Sequence, residues 1–249
     1  RETLKFLASR CHIDPYTDGT APGLSASTKE AGLEMSVILP VVTKPSQFQS
    51  INRFAMQFQE GSLLSFGGIH PDNEDYKEKL KELKHMGFKG IKLHPDYQDE
   101  LLFDDIRYKR IISYASELDL IVSVHAGFDP GYPDCIHCPP QKALDVIRDV
   151  QPQKLVLAHM GGFMMWDEVE AYLTGENIWM DTAAVFGHIP EEQFVRIVRA
   201  HGADRILFAT DSPWGGQKEF AEYFRNLPLS DEEKEAIARG NARKLLGMS

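Results

Sequence analysis

The sequence predicts an α/β fold, a TIM-type (β/α)8 barrel, from two observations. Short apolar runs alternate with amphipathic stretches along most of the chain, the pattern of repeated βα units. Three of those runs terminate on residue types that hold divalent metals: Ile121-Val122-Ser123-Val124-His125, Leu155-Val156-Leu157-Ala158-His159 and Ile206-Leu207-Phe208-Ala209-Thr210-Asp211. A near-continuous apolar run marks a parallel strand buried on both faces, so a polar residue at its end sits where the strand leaves the core. In alternating α/β architectures those carboxyl ends form the active face, and side chains from separate strands converge there.

In chain order, residues 3–9 read as helical, Asp14-Pro15-Tyr16-Thr17-Asp18-Gly19 as a turn-rich loop, and 22–31 as a helix. Strands follow over 36–41, 63–69, 90–94, 120–125, 154–159, 178–182 and 205–210. Helices fall between or after them over 45–59, 75–86, 104–117, 139–150, 164–173, 190–200 and 217–225; in the second of these, Tyr76, Leu80, Leu83 and Met86 recur near the helical period. Pro190 before Glu191 and Glu192, and Ser230 before Asp231-Glu232-Glu233, are helix starts, because acids complement the free N–H groups of a first turn. Seven strands are one short of a closed eight-stranded barrel. The deficit lies at the front, where residues 1–35 carry no strand pattern and the chain begins with arginine. The expectation is therefore one domain over residues 1–249 whose first strand is missing from this chain; an incomplete barrel is the competing explanation.

Composition narrows the partners. A formal charge of −10 opposes nucleic acid and anionic membrane surfaces, which demand clustered Lys and Arg. No apolar stretch approaches the roughly 18 residues of a membrane span, and neither a membrane helix nor a signal peptide is expected from the pattern. Cys11, Cys135 and Cys138 are too few and too unevenly placed for a disulfide framework, which predicts a reducing, cytoplasmic setting. Cys135-Ile136-His137-Cys138 is half of a zinc-binding element with no second pair to close it, so it reads as a loop of the active face. A small-molecule substrate is the expected partner, with a homo-oligomer left open.

Lys92 and His94 follow from strand parity. Side chains two apart on a strand share a face, so if His94 faces the barrel interior then Lys92 does too, while Ile91 and Leu93 pack against helices. An interior lysine is costly unless paired, which points to an internal acid or an anionic substrate. His70, in Gly67-Gly68-Ile69-His70-Pro71, ends another strand and is a candidate substrate contact, although a loop residue fixed by its proline explains it equally well. His12, His85, His188 and His201 lack strand-end placement and receive no chemistry.

Three segments are more specific: Gly90-Ile91-Lys92-Leu93-His94-Pro95, Leu157-Ala158-His159-Met160-Gly161-Gly162 and Phe208-Ala209-Thr210-Asp211-Ser212-Pro213. On these residues the chain resembles the amidohydrolase superfamily, and within it the amidohydrolase-related family that includes aminocarboxymuconate-semialdehyde decarboxylase-like proteins. The likeness runs from Tyr16-Thr17-Asp18-Gly19-Thr20 to Gly240-Asn241-Ala242-Arg243-Lys244-Leu245-Leu246-Gly247. It implies a first strand with His-x-His, histidines ending the fifth and sixth strands, and aspartate ending the eighth; His125, His159 and Asp211 match by position. The first-strand motif does not occur in this chain, and Cys11-His12-Ile13 does not replace it because no apolar run precedes it.

The resemblance implies a divalent metal, zinc first, held by His125, His159 and Asp211, and retained weakly by this chain because affinity falls steeply with ligand number. Asp211 would also take the proton of metal-bound water, and His159 would act as a base or polarise a carbonyl. Lys92 occupies the strand on which some relatives carry a carboxylated lysine, a second choice after the ion pair. The expected function is hydrolysis of an amide, ester or lactone of a small substrate. Two alternatives stand beside it: non-oxidative decarboxylation of an aromatic or unsaturated carboxylate on the same scaffold, and a non-catalytic binding barrel.

Overall fold

Every one of the seven apolar runs becomes a parallel strand in the computed structural model, which describes residues 2–248. Arg1 and Ser249, the ends of the expected domain, lie outside the described residues. The strands are β1 (Ser36–Ile38), β2 (Leu63–Ser65), β3 (Gly67–Gly68), β4 (Gly90–Leu93), β5 (Ile121–Val124), β6 (Leu155–Leu157), β7 (Trp179–Asp181) and β8 (Ile206–Leu207). The run 63–69 counts twice because it breaks at Phe66: β2 pairs with β1, and β3 pairs with β4. Asn52 makes the break possible, its side chain donating to Gly68 O and accepting from Gly68 N, each at 2.8 Å, in place of a neighbouring strand.

From β3 to β8 each strand pairs with the next, which gives the TIM-type (β/α)8 barrel predicted by the alternation. Among the described residues no pairing joins β8 to β1, and no strand precedes Ser36; α1 (Glu2–Cys11) and α2 (Ala21–Glu30) occupy that part of the chain. The other helices are α3 (Phe48–Ala55), α4 (Tyr76–His85), α5 (Ile106–Glu117), α6 (Pro140–Val150), α7 (Trp166–Tyr172), α8 (Glu191–His201), α9 (Gln217–Arg225), α10 (Asp231–Glu235) and α11 (Asn241–Leu246). Capping chemistry fixes several starts: Asp105 accepts from Arg107 N at 2.8 Å before α5, and Ser230 and Glu233 form a reciprocal capping box at α10.

Several segments are shorter than their patterns, among them 36–41, which keeps Ser36–Ile38. The run 45–59 folds as a 3-10 turn at Pro45–Gln47 followed by α3. The run 205–210 keeps only two strand residues, because Phe208 N turns to Ile237 O at 2.9 Å and the Thr182 hydroxyl both accepts from Ala209 N and donates to Ala209 O, each at 2.8 Å. Residues 208–211 therefore reach the rim as irregular backbone.

Two apolar layers follow from strand parity. Ile91, Leu93, Val122, Val124, Leu155, Leu157 and Met180 face outward and bury themselves beneath the helices, a burial that contributes about 2 kcal/mol per large side chain. The inward set, Phe66, Ile121 and Val156 with Trp179 and Leu207 against them, closes the barrel floor together with Leu245 and Leu246 of α11. Above that floor the inward positions become polar. A cavity of about 1970 Å³ occupies this interior, lined by Lys92, Ser123, His125 and Asp181 among others.

Candidate active site

His125 and His159 meet in this cavity by different routes. His125 follows β5 and keeps the inward parity of Ile121 and Ser123. Strict alternation beyond β6 would send His159 outward with Leu155 and Leu157. Its φ of +59°, in the left-handed region, turns it inward instead. That backbone is held at both ends: His159 N donates to Asp181 Oδ1 at 3.0 Å, and Trp166 Nε1 donates to His159 O at 3.1 Å.

The proton positions of the pair follow from their partners. His159 Nδ1 lies 2.8 Å from Ala183 O, which can only accept, so that nitrogen carries the hydrogen. His159 Nε2 must then accept in the neutral ring, and His125 Nδ1, 3.1 Å away, donates to it. Burial, with neighbouring His94 and His159, pushes His125 well below the usual histidine range, so its ring is neutral and its Nε2 bears a lone pair. That Nε2 is buried without a hydrogen-bond partner.

Gly127 ties the two loops together. Its N donates to Cys138 O at 2.9 Å, while Phe163 N donates to Ala126 O and Phe128 N to Phe163 O, also at 2.9 Å. Its φ is +89°, and a Cβ there would run into the backbone of Gly162 and Phe163, so the close approach requires glycine.

Three carboxylates that the strand-end pattern did not single out complete the site. Asp96 is 1% exposed, and its Oδ1 accepts from His137 Nδ1 at 2.7 Å, which gives His137 a buried support role. Asp129 Oδ1 accepts from Gly131 N at 2.6 Å. His94 stacks on His125, with centroids 4.2 Å apart and planes within 7°, and places its nitrogens 3.5 Å from Asp96 Oδ2 and from Asp129 Oδ2. His125 Nε2 is 3.8 Å from the same two oxygens. Ligand-type atoms of His94, Asp96, His125 and Asp129 all lie within 4.8 Å of one another. Burial raises the Asp96 carboxyl against the pull of His137, and burial raises Asp129 to about 6 with Asp96 adding to the rise. Asp181, the third, ends β7 and is also raised by burial. Its signal was partly available: it is the one acid in the run 178–182, one residue before that run ends.

Lys92 is buried at 7% exposure, lines the cavity with His94, and is lowered by burial while Asp181 and Asp211 oppose that shift. Ile91 and Leu93 occupy the outer core. Asp211 is exposed, has a φ of +60°, and lines the same cavity, but it joins no close cluster of ligand-type atoms among the described residues. His70 does not line the cavity. It is fully buried elsewhere, with Nδ1 accepting from Asp72 N at 3.2 Å and Nε2 3.5 Å from Asp99 Oδ2. Cys135 is exposed and Cys138 buried, and all three cysteines are free. Among the described residues no helix is long and apolar enough to cross a membrane.

Comparison with known proteins agrees with the barrel fold. Residues 7–248 match the family model described as Amidohydrolase. A gamma-resorcylate decarboxylase from Polaromonas sp. is 28% identical over 116 residues, covering 39% of this chain and 35% of that protein, so the match spans about a third of the curated relative's length. Among solved structures, an uncharacterized TIM-barrel protein from Bordetella bronchiseptica superposes with a TM-score of 0.76 at 18% identity, covering 99% of this chain and 90% of that one. A dihydroxybenzoic acid decarboxylase from Polaromonas sp., solved with manganese and the inhibitor 2-nitroresorcinol, gives 0.69 at 19% identity, covering 92% and 86%.

Proposed function

The chain belongs to the amidohydrolase family, and on that footing we propose that it is a metal-dependent decarboxylase of an aromatic or unsaturated carboxylate. The observation that carries the reading is one cavity holding a buried cation, a histidine pair and aromatic walls: Lys92, His125 and His159 stand with Phe128, Phe163 and Trp214. A buried ammonium is offset by an anionic partner, and flat aromatic walls suit a flat substrate. Sequence reasoning ranked hydrolysis first; the decarboxylases among the relatives reverse that order.

In this reading Lys92 receives the substrate carboxylate and the aromatic side chains hold the ring. A proton reaches the ring carbon that bears the carboxylate, the bond to the carboxyl carbon breaks, and its electron pair stays on the ring. One carbon dioxide leaves and one C–H bond forms. Asp211, lining the cavity, is proposed to relay that proton. His159 is a positioning residue in this scheme, since its Nε2 already accepts from His125 and its Nδ1 is committed to Ala183 O.

The residues fit a divalent ion, because the buried His125 Nε2 lone pair has no protein donor. Of the strand-end set, His125 offers that nitrogen and Asp211 a carboxylate. When bound, the ion would supply a Lewis acid for oxygen atoms of the substrate. Zinc, the ion expected from the sequence, gives way to manganese as the first to test, given the manganese-bound relative.

The test is direct. Protein supplied with Mn²⁺ is incubated with 2,6-dihydroxybenzoate and 5-carboxyvanillate, with carbon dioxide release measured beside hydrolysis of a panel of lactones and amides. Carbon dioxide from an aromatic acid is the expected result. Hydrolysis of the panel with none released would overturn the reading.

A further inference from the structure

We propose that Lys92 and Ser123 form a carboxylate-binding subsite on the cavity wall just above the barrel floor, with the Ser123 hydroxyl as a specificity-determining donor to the oxyanion. The inference rests on the aromatic or unsaturated carboxylate proposed as substrate and names where its carboxylate sits; the strand-end position of the ion stays as it is.

Ser123 is out of place in its own strand. Ile121, Val122 and Val124 make β5 apolar on both faces, and a hydroxyl in such a strand is costly unless it is hydrogen-bonded. Serine commonly meets that need by bonding a nearby backbone carbonyl, as Ser65 does by donating to Phe66 O at 2.9 Å. Ser123 does not. It is 3% exposed and lines the cavity, and its Oγ is buried with no hydrogen-bond partner. The hydroxyl is therefore available to whatever fills the cavity.

Strand register puts a second such group beside it. Lys92 of β4 is the Cα partner of Ser123, and both residues line the cavity. Paired strands lie about 4.8 Å apart, so the two side chains leave the wall side by side. Lys92, at 7% exposure, makes no ion pair and no side-chain hydrogen bond among the described residues. One carboxylate satisfies both groups, accepting an N–H from the ammonium and an O–H from the serine in charge-assisted bonds. A neutral amide cannot, because its NH2 would meet a donor. The surroundings sharpen that choice: Val156 and then Trp179 continue the same level around the barrel, and Ile121, two residues earlier on β5, belongs to the apolar floor. Donors set among apolar side chains act at low dielectric. His94 and His125 stand two residues further along, about 7 Å nearer the mouth. A ring whose carboxylate reaches Lys92 and Ser123 therefore lies alongside the stacked imidazoles.

Calorimetric titration of the full chain, supplied with Mn²⁺, with benzoate and with benzamide tests the subsite without turnover. Wild type should bind benzoate at least about tenfold more tightly than benzamide. Ser123→Ala should weaken benzoate about tenfold, the scale of one lost hydrogen bond to a charged group, and benzamide less than about threefold. Ser123→Thr keeps the hydroxyl and should recover most of the loss. On a Lys92→Met background the further cost of Ser123→Ala should stay below about threefold, because the two side chains serve one carboxylate. Thermal melts without ligand supply a second readout: a hydroxyl with no partner contributes nothing to the fold, so Ser123→Ala should melt no lower than wild type. A lower melt assigns the hydroxyl a structural bond and overturns the subsite. So does benzoate affinity within threefold of wild type in Ser123→Ala, an equal loss for benzoate and benzamide, or a wild type that takes up no benzoate. Carbon dioxide released from 2,6-dihydroxybenzoate in any of those cases leaves the decarboxylase reading standing. Benzoate binding as expected, with no carbon dioxide from any aromatic acid, keeps the subsite and overturns that reading instead.

Discussion

Replacing Lys92 by methionine removes the buried charge while keeping most of the side-chain volume. Lys92 is 7% exposed, and Asp181 and Asp211 are the acids whose fields support its charge. A substrate carboxylate roughly 4 Å from the ammonium at an effective dielectric of about 20 would gain about 4 kcal/mol. Because Asp181 already shares that ammonium, about half is available to substrate, and losing about 2 kcal/mol lowers kcat/KM about 30-fold. The fold should persist, since Asp181 keeps its bonds from His159 N and Ala183 N, both at 3.0 Å, which compensate its carboxylate once the ammonium is gone. Steady-state rates on aromatic carboxylates and competition by their uncharged amide analogues, with circular dichroism melts alongside, make the measurement. A kcat/KM within threefold of wild type in a folded variant, or equal loss of affinity for charged and uncharged analogues, would refute the role given to Lys92.

Asp211→Asn should lower kcat by about a hundredfold, the scale of a lost acid–base group, whereas His188→Asn, whose ring stacks edge-on to Phe163 at 5.2 Å, should stay within threefold in the same assay. Gly127→Ala should destabilise the fold by about 3 kcal/mol or more in urea unfolding, because a Cβ meets the backbone of Gly162 and Phe163 at a positive φ. His201 is lowered by burial, with Nε2 bonded to Ile178 O at 3.0 Å, so the unfolded state binds the extra proton as pH falls below about 6.5 and stability declines on that side. Melts at pH 7.5 and 5.5 should therefore differ less in His201→Gln than in wild type; an unchanged difference would assign the acid sensitivity to other groups.

Local pattern was enough for the barrel and for part of its interior. Apolar runs and helix starts are written in neighbouring residues, and the period-two alternation carried Lys92, His94 and His125 inward because all three continue regular strand geometry. The same rule fails where backbone leaves that geometry. His159 has outward parity and enters the cavity through a left-handed φ that Asp181 and Trp166 hold in place, which no local pattern encodes. His70, although it follows β3, lies outside the cavity in a cluster with Asp72 and Asp99. Asp96 and Asp129 sit on loops, two and four residues beyond the strand-end histidines of their own segments, and only the folding of those loops onto one another brings their oxygens together. The direction of the His125 lone pair depends on a hydrogen-bond chain through His159 to Ala183, whose members come from three strand ends. Sequence determines what each strand can bury, because burial follows spacing along the chain. The arrangement of protons and acceptors at the site is decided between strands, by contacts across 24 and 34 residues of sequence that only the closed fold brings within hydrogen-bond range.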